Sequence, residues 1–301
     1  MMDFSGIWVP LVTPFRDGAV DHAALRVLVE YYRGAKVAGI VALGTTGEAA
    51  ALEEDEQLAL VDTVLSAAGN LPVVVGLAGN HLGHVRARLA QFTARPIAGL
   101  LVPAPYYIRP SQQGLVDYFS DLADRSPVPL VLYDIPYRTG VRIELDSLLS
   151  LAAHDNIAAI KDCAGSVDTT VALIADGRLQ VLAGEDMNLL SNLCLGGAGA
   201  IAASAHIRPD LFNEVFQAMR RQDLVRARAV FHLLAPMMRL MFVEANPGPV
   251  KAALALQGLI ANELRAPMTP VSAALLARLR AGLDSLDLRA EGLSAQALRA
   301  A

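Results

Sequence analysis

Eight short runs rich in Val, Ile and Leu recur through the first two thirds of the chain, and a segment with apolar residues at helical spacing follows each one. The runs occupy residues 7–13, 39–44, 72–76, 99–103, 129–133, 157–161, 179–184 and 199–204. The segments 21–35, 53–68, 81–93, 111–125, 144–153, 167–176, 187–195 and 209–222 read as helices, and Pro209 suits a first helical turn. Strands separated by helices are too far apart in sequence for tight hairpins; they line up in parallel, with each helix carrying the chain back across the sheet. Eight such units are the number that closes an α/β sheet into a (β/α)8 TIM barrel. After residue 222 the alternation stops, and 224–241, 249–259 and 272–281 read as helices with no strand between them. The expected organisation is therefore a barrel over residues 1–223 that carries the active site, and a C-terminal helical region over residues 224–301.

Composition narrows the function. A chain of 301 residues that is 54% hydrophobic and 18% charged has ample material for a buried core. Its net charge of -5, with no basic block, argues against nucleic acid as a partner. Cys163 and Cys194 have neither metal-ligand spacing nor a disulfide framework, which fits free thiols in a reducing compartment. The start, Met1-Met2-Asp3-Phe4, lacks the basic region and apolar stretch of a secretory signal and points to the cytoplasm. The uncharged stretch 187–207 is interrupted by Asn188, Asn192, Gly196 and Gly199, so it suits helix, turn and strand better than a membrane span. The six histidines form no ligand cluster with carboxylates at strand ends, and no Gly-x-Ser-x-Gly elbow occurs, so neither a metal centre nor a serine triad is expected.

Positive charge comes almost wholly from arginine, with only three lysines, Lys36, Lys161 and Lys251, among 25 basic residues. Lys161 closes the apolar run Asn156-Ile157-Ala158-Ala159-Ile160. An arginine stays protonated, whereas a desolvated lysine can lose its proton and attack a carbonyl. A lysine at a strand end is more often a solvated terminator or an ion-pair partner than a nucleophile. At the level of the residue alone both readings stand. Successive strand side chains point to opposite faces, so Asp162 is a poor partner for the amine if the strand continues that far. The same alternation places Ile157 and Ala159 on the lysine's face, with the small Ala159 leaving space beneath the amine.

In a barrel of this kind the chemistry collects at the C-terminal ends of the strands. Gly44-Thr45-Thr46-Gly47-Glu48 follows the second run, Tyr106-Tyr107 follows the fourth, Tyr133 ends the fifth and Lys161 ends the sixth. Residues from four strands would thus share one mouth. Threonine hydroxyls and approachable glycine amides are good donors for a carboxylate, although the same glycines serve a plain tight turn. The tyrosines also suit simple packing, and Arg138 a simple surface position. Gly196-Gly197-Ala198-Gly199 precedes a strand and does not open a helix, which makes it a poor phosphate cradle.

Taken together, four segments resemble those of a known family, the pyruvate-dependent class I aldolases and synthases typified by dihydrodipicolinate synthase and N-acetylneuraminate lyase. They are Gly44-Thr45-Thr46-Gly47-Glu48, Pro105-Tyr106-Tyr107-Ile108-Arg109-Pro110-Ser111, Tyr133-Asp134-Ile135-Pro136-Tyr137-Arg138-Thr139-Gly140 and Ile160-Lys161-Asp162. The tail segment running from Phe242 to Lys251 is also similar, and the likeness covers nearly the whole chain.

The resemblance implies that Lys161 condenses with the ketone of pyruvate and that the resulting enamine attacks a small aldehyde, with no cofactor beyond the covalent Schiff base and no metal. It implies that Thr45 and Thr46 hold the pyruvate carboxylate and that Tyr133 moves protons in a hydroxyl relay with Thr45 and Tyr107. It further implies that Tyr107 enters from a neighbouring subunit, giving a homotetramer built as a dimer of dimers, and that Gly184 and Ile201 line the pyruvate pocket. Arg138 matches the arginine that binds the carboxylate of aspartate semialdehyde in the synthase branch, a task suited to its bidentate fork. The implied reaction is thus that of lysine and diaminopimelate biosynthesis. The alternatives are another pyruvate-dependent aldolase acting on a hydroxylated 2-oxo acid, and a barrel that binds an oxo acid without turnover. Departures from the family's pattern include Asp134 where Asn is common, Asp162-Cys163 after the lysine, and Ala203-Ser204-Ala205-His206 after the last strand. Ala49, Glu54 and His84 replace residues of the lysine-inhibition site in regulated relatives, although Asn80 and Tyr106 remain, so feedback by free lysine is not expected.

Overall fold

The computed structural model describes residues 2–300, with side chains described to residue 292. Met1 and Ala301, the outer ends of the two expected ranges, lie outside the described residues. All eight expected strands are present: β1 Gly6–Pro10, β2 Gly39–Ala42, β3 Val73–Gly76, β4 Gly99–Pro103, β5 Leu130–Asp134, β6 Ile157–Asp162, β7 Gln180–Ala183 and β8 Gly199–Ile201. They form a closed barrel of parallel pairs in chain order, with β1 bonded to both β2 and β8. The eight expected helices follow as α1 His22–Gly34, α2 Glu54–Ala68, α3 Leu82–Thr93, α4 Gln112–Arg125, α5 Leu145–Leu151, α6 Val167–Asp176, α7 Leu189–Cys194 and α8 Pro209–Arg220. Local chemistry marks where several begin. Asp21 accepts from the Ala24 amide at 2.9 Å and Ser111 from the Gly114 amide at 3.2 Å, satisfying donors that a first helical turn leaves free.

Alternation along the strands divides the apolar residues into two layers. Trp8, Val41, Val74, Leu101, Val131 and Leu182 fill the barrel interior, while Ile7, Val9, Ile40, Val73, Val75 and Leu100 pack outward against the helices. One expectation about this alternation fails. The register between β5 and β6 runs from Leu130↔Ile157 directly to Val131↔Ala159, so Ala158 is an extra residue. The bulge turns Ile157 into the outer core and brings Ala158 and Ala159 together into the interior below Lys161. Ile157 therefore does not share the lysine's face, and two small methyl groups take its place. Beyond the bulge the alternation resumes. Asp162 turns away from the amine and accepts from the Ala164 amide at 2.9 Å and the Thr170 hydroxyl at 2.7 Å.

Several ends differ from the sequence reading; the run expected over 7–13, for one, is strand only to Pro10. The strand expected over 199–204 stops at Ile201, and Ala203–His206 forms a 3-10 turn. His206 fixes that turn: its Nε2 accepts from the Val12 amide at 3.1 Å, and its Nδ1 donates to the Ala203 carbonyl at 2.7 Å. Full burial keeps the ring neutral, with a pKa pulled down to about 4. The last helix, expected over 272–281, instead runs Ala273–Ala300. Gly282, just past the expected end, serves close approach: a Cβ there would come within 2.5 Å of Met237 Sδ. Met237 lies on α9, Leu224–Leu240, which packs against α8 and this last helix. Between them α10, Gly248–Leu256, packs against the Ala203–His206 turn, bringing the C-terminal region to the barrel mouth.

Candidate active site

The C-terminal ends of the strands enclose a cavity of about 440 Å³ whose wall includes Thr45, Thr46, Tyr133, Arg138, Lys161 and Gly184. The structure thus brings together six of the residues singled out in the sequence. Ile201 is buried in the barrel interior, and the wall at that end is Ala203. Tyr107 stands apart. It is 89% exposed, and its backbone amide is tied to the Thr139 carbonyl at 3.0 Å.

Tyr133 and Lys161 are register partners across β5 and β6, so both turn inward, and Nζ lies 4.5 Å from the centre of the phenol ring. The lysine is 6% exposed and makes no hydrogen bond or ion pair with any described residue. Burial pulls its pKa below the ordinary lysine value. The neighbours Cys163, Asp186 and Glu185 oppose that shift, and the Arg138 charge assists it. Burial also lifts the Tyr133 phenol well above its usual range, so it keeps its proton at neutral pH. The Thr45 hydroxyl and the Arg138 charge work against that rise and stabilise the phenolate when it forms. Gly184 gives the lysine its space. A Cβ there would stand 2.3 Å from Cys163 Sγ and 2.9 Å from Lys161 Cγ.

The threonines sit on a single 3-10 turn, Thr45–Gly47, bracketed by left-handed Leu43 at φ 56° and Glu48 at φ 51°. Non-glycine residues adopt that conformation only where surrounding contacts enforce it. Three contacts do so here. Thr13 Oγ1 donates to the Gly47 carbonyl at 2.6 Å, Asn246 Nδ2 donates to Thr46 Oγ1 at 3.1 Å, and Lys251 Nζ donates to Glu48 Oε1 at 2.5 Å. Lys251 also donates to the Glu263 carbonyl at 2.8 Å, and Arg265 N to Glu48 Oε2 at 3.1 Å. Opposite this turn, Arg138 rides on a helical turn, Pro136–Thr139, that Pro136 opens and Gly140 closes.

This arrangement can be set beside known proteins. The family model described as the dihydrodipicolinate synthetase family matches residues 3–285. The chain belongs to that family. It is 38% identical over 275 residues to 4-hydroxy-tetrahydrodipicolinate synthase 2 of Clostridium acetobutylicum, covering 90% of this chain and 96% of that one. Against the 4-hydroxy-tetrahydrodipicolinate synthase of Haloarcula marismortui the identity is 36% over 302 residues, covering 98% and 99% of the two chains. The crystal structure of dihydrodipicolinate synthase from Thermotoga maritima superposes with a TM-score of 0.92 at 33% identity, covering 95% of this chain and all of that one.

Within this family's barrel the site contains residues that the reading of strand ends passed over. Glu185 and Asp186 lie just beyond β7, at the same end of the barrel where Lys161 stands near the end of β6. That position was signal enough to find them. Asp186 is buried and accepts from the Ala203 and Ser204 amides at 3.1 and 2.6 Å, bracing the β8 end of the cavity. Asn246 comes from the C-terminal region, 200 residues from its partner Thr46; it lies in the tail segment that resembles the family, but nothing local ties it to the threonine turn.

Proposed function

We propose that the chain is a 4-hydroxy-tetrahydrodipicolinate synthase-like lyase that condenses pyruvate, held as a Schiff base on Lys161, with aspartate semialdehyde in lysine and diaminopimelate biosynthesis. The observation that carries this reading is a buried amine with no partner, facing a cavity and register-paired with a tyrosine that keeps its proton. A lysine of ordinary pKa is uncharged in only about one molecule in a few thousand at pH 7, so desolvation is what makes the nucleophile available.

In the proposed sequence, Thr45 and Thr46 take the pyruvate carboxylate and present the ketone to Nζ. The amine adds to the ketone carbon, and the carbinolamine hydroxyl leaves as water with a proton from Tyr133. The protonated imine then draws off a proton from the neighbouring methyl carbon, which Tyr133 accepts, and the enamine forms. Its methylene carbon attacks the aldehyde carbon, and the aldehyde oxygen takes the proton back. The substrate's own amine, once deprotonated, then adds to the iminium carbon, the bond to Nζ breaks to free the lysine amine, and the proton lost from the new ring imine returns to Tyr133. Arg138, whose guanidinium pairs with no carboxylate among the described residues, receives the carboxylate of the aldehyde. The iminium supplies the electron sink, so this chemistry calls for no metal or organic cofactor.

The same reading assigns residues 1–223 to the catalytic barrel and residues 224–301 to a helical region that delivers Asn246 and Lys251 to the threonine turn. Gly184 and Ile201 are assigned to the pyruvate pocket, and the chain to the cytoplasm. Tyr107 is assigned to the relay of a neighbouring copy in a homotetramer. Two features support that last assignment: Tyr107 is exposed and is not part of its own cavity wall, and a second cavity of about 530 Å³ borders Thr45 and Tyr133 beside Tyr106.

The test is turnover of pyruvate with aspartate semialdehyde against a panel of other aldehydes and hydroxylated 2-oxo acids. Product with the semialdehyde in clear preference is the expected outcome. No product with it, while another aldehyde reacts, moves the chain to a different pyruvate aldolase.

A further inference from the structure

Two opposite charges face the active-site cavity without neutralising each other. Arg138 lines it from the β5 loop, its guanidinium 6.0 Å from the Tyr137 ring and in no ion pair among the described residues. Glu185 lines it from the β7 loop. Among the described residues its hydrogen-bond donors are neutral: the Tyr137 hydroxyl donates to Oε1 at 2.9 Å, and the Cys163 thiol is the other. The chain forms ion pairs readily elsewhere, with Arg86–Asp121, Arg95–Asp62 and Arg265–Glu56 all in contact. Arg138 is exposed and Glu185 half-buried, so the cost of keeping the two apart falls on the carboxylate, which has no ion-pair partner in contact among the described residues. Glu185 has a second cost. Its charge favours the protonated form of Lys161 and so opposes the nucleophile.

We infer that Glu185 is a specificity-determining residue that receives the ammonium group of the aldehyde while Arg138 receives its carboxylate, so that the cavity selects a zwitterionic aldehyde. This rests on the reading of the chain as a pyruvate–aldehyde synthase and names the feature of the aldehyde that the site recognises. Aspartate semialdehyde carries both groups on one carbon, whereas succinate semialdehyde is the same skeleton without the amine. With the other wall carboxylate, Glu244, engaged by the Ser272 amide and hydroxyl, the Arg138 guanidinium and the Glu185 carboxylate make the cavity complementary to the first. For the second it leaves the carboxylate of Glu185 desolvated and unanswered, the situation in which polar sites discriminate most strongly. Tyr137 has a defined part in this: its hydroxyl orients the carboxylate without neutralising it.

The experiment compares kcat/KM for the two semialdehydes at saturating pyruvate in the wild type, Glu185→Gln and Glu185→Asp. The wild type should favour aspartate semialdehyde by about 10- to 100-fold, the worth of a hydrogen bond to a charged group. Glu185→Gln should erase most of that ratio, and Glu185→Asp should keep most of it. A merely structural role for Glu185 would lower both rates together and leave the ratio intact, which would overturn the inference. Equal use of the two aldehydes by the wild type would overturn it without any variant, while leaving the synthase reading in place. A wild type that adds pyruvate to neither aldehyde would remove the synthase reading itself.

Discussion

Lys251, with no exposed surface, is held between the Glu48 carboxylate and the Glu263 carbonyl, with its ammonium 4.1 Å from the centre of the Phe15 ring. Lys161, hardly more exposed, has no hydrogen-bonding partner among the described residues and looks into a cavity. Burial lowers the pKa of both amines. At Lys251 a hydrogen-bonded carboxylate restores the charge, and at Lys161 only more distant charges oppose the loss of the proton. The difference teaches how one chain uses the same side chain twice. A buried amine with a carboxylate in contact fastens two segments, whereas one without a contact is available to react.

The comparison predicts opposite phenotypes, and these are the largest effects expected. Lys161→Met should cut turnover by at least about a thousandfold, because no other group can form the imine. Its denaturation midpoint should hold or rise, since no partner is left unpaired. Lys251→Met strands the Glu48 carboxylate in the core beneath the threonine turn, and it should lower unfolding free energy by about 3–5 kcal/mol. Parallel denaturant titrations and assays of the two variants decide the matter. Similar stability loss in both would show that the two lysines are used alike.

A buried carboxylate sharpens the same contrast at smaller scale. Glu48 has Lys251, but among the described residues the Asp134 carboxyl bonds only to the Ile143 amide, at 3.2 Å, and burial raises its pKa to about 7. The folded protein thus holds this proton to higher pH than the unfolded chain does, whose carboxylates titrate near about 4. The group's contribution to stability is complete below that lower value and drains away as pH rises towards 7. Asp134→Asn, which keeps the amide bond and never ionises, should therefore be more stable than the wild type at pH 8 by on the order of 1–3 kcal/mol. The gap should close towards pH 4. A gap that stays constant across that range would mean Asp134 does not titrate as its burial requires.

What the sequence disclosed and what it withheld follow from the range of the forces involved. Strand and helix alternation is local, and all eight strand–helix units stand where the apolar spacing places them. The same holds for Lys161 and Tyr133, which end strands whose inward face is set by period two. That period failed at Ala158, because a bulge depends on how two strands pair and leaves no mark within one. Gly282 gives no local signal for a related reason: in sequence a glycine that ends a helix and one that admits a neighbouring helix look the same. The Lys251–Glu48 pair spans 203 residues, and nothing near either residue announces the other. Glu185 was legible, since it follows a barrel strand, yet an acidic residue after a glycine reads equally well as ordinary loop.

The most direct test of the central claim is to treat the protein with pyruvate and borohydride and locate the modified residue by peptide mass analysis. The account predicts irreversible addition of the reduced pyruvyl group at Lys161, with Lys36 and Lys251 untouched and no addition to a Lys161→Met variant. Label on Lys251, or an unmodified wild type, would contradict it.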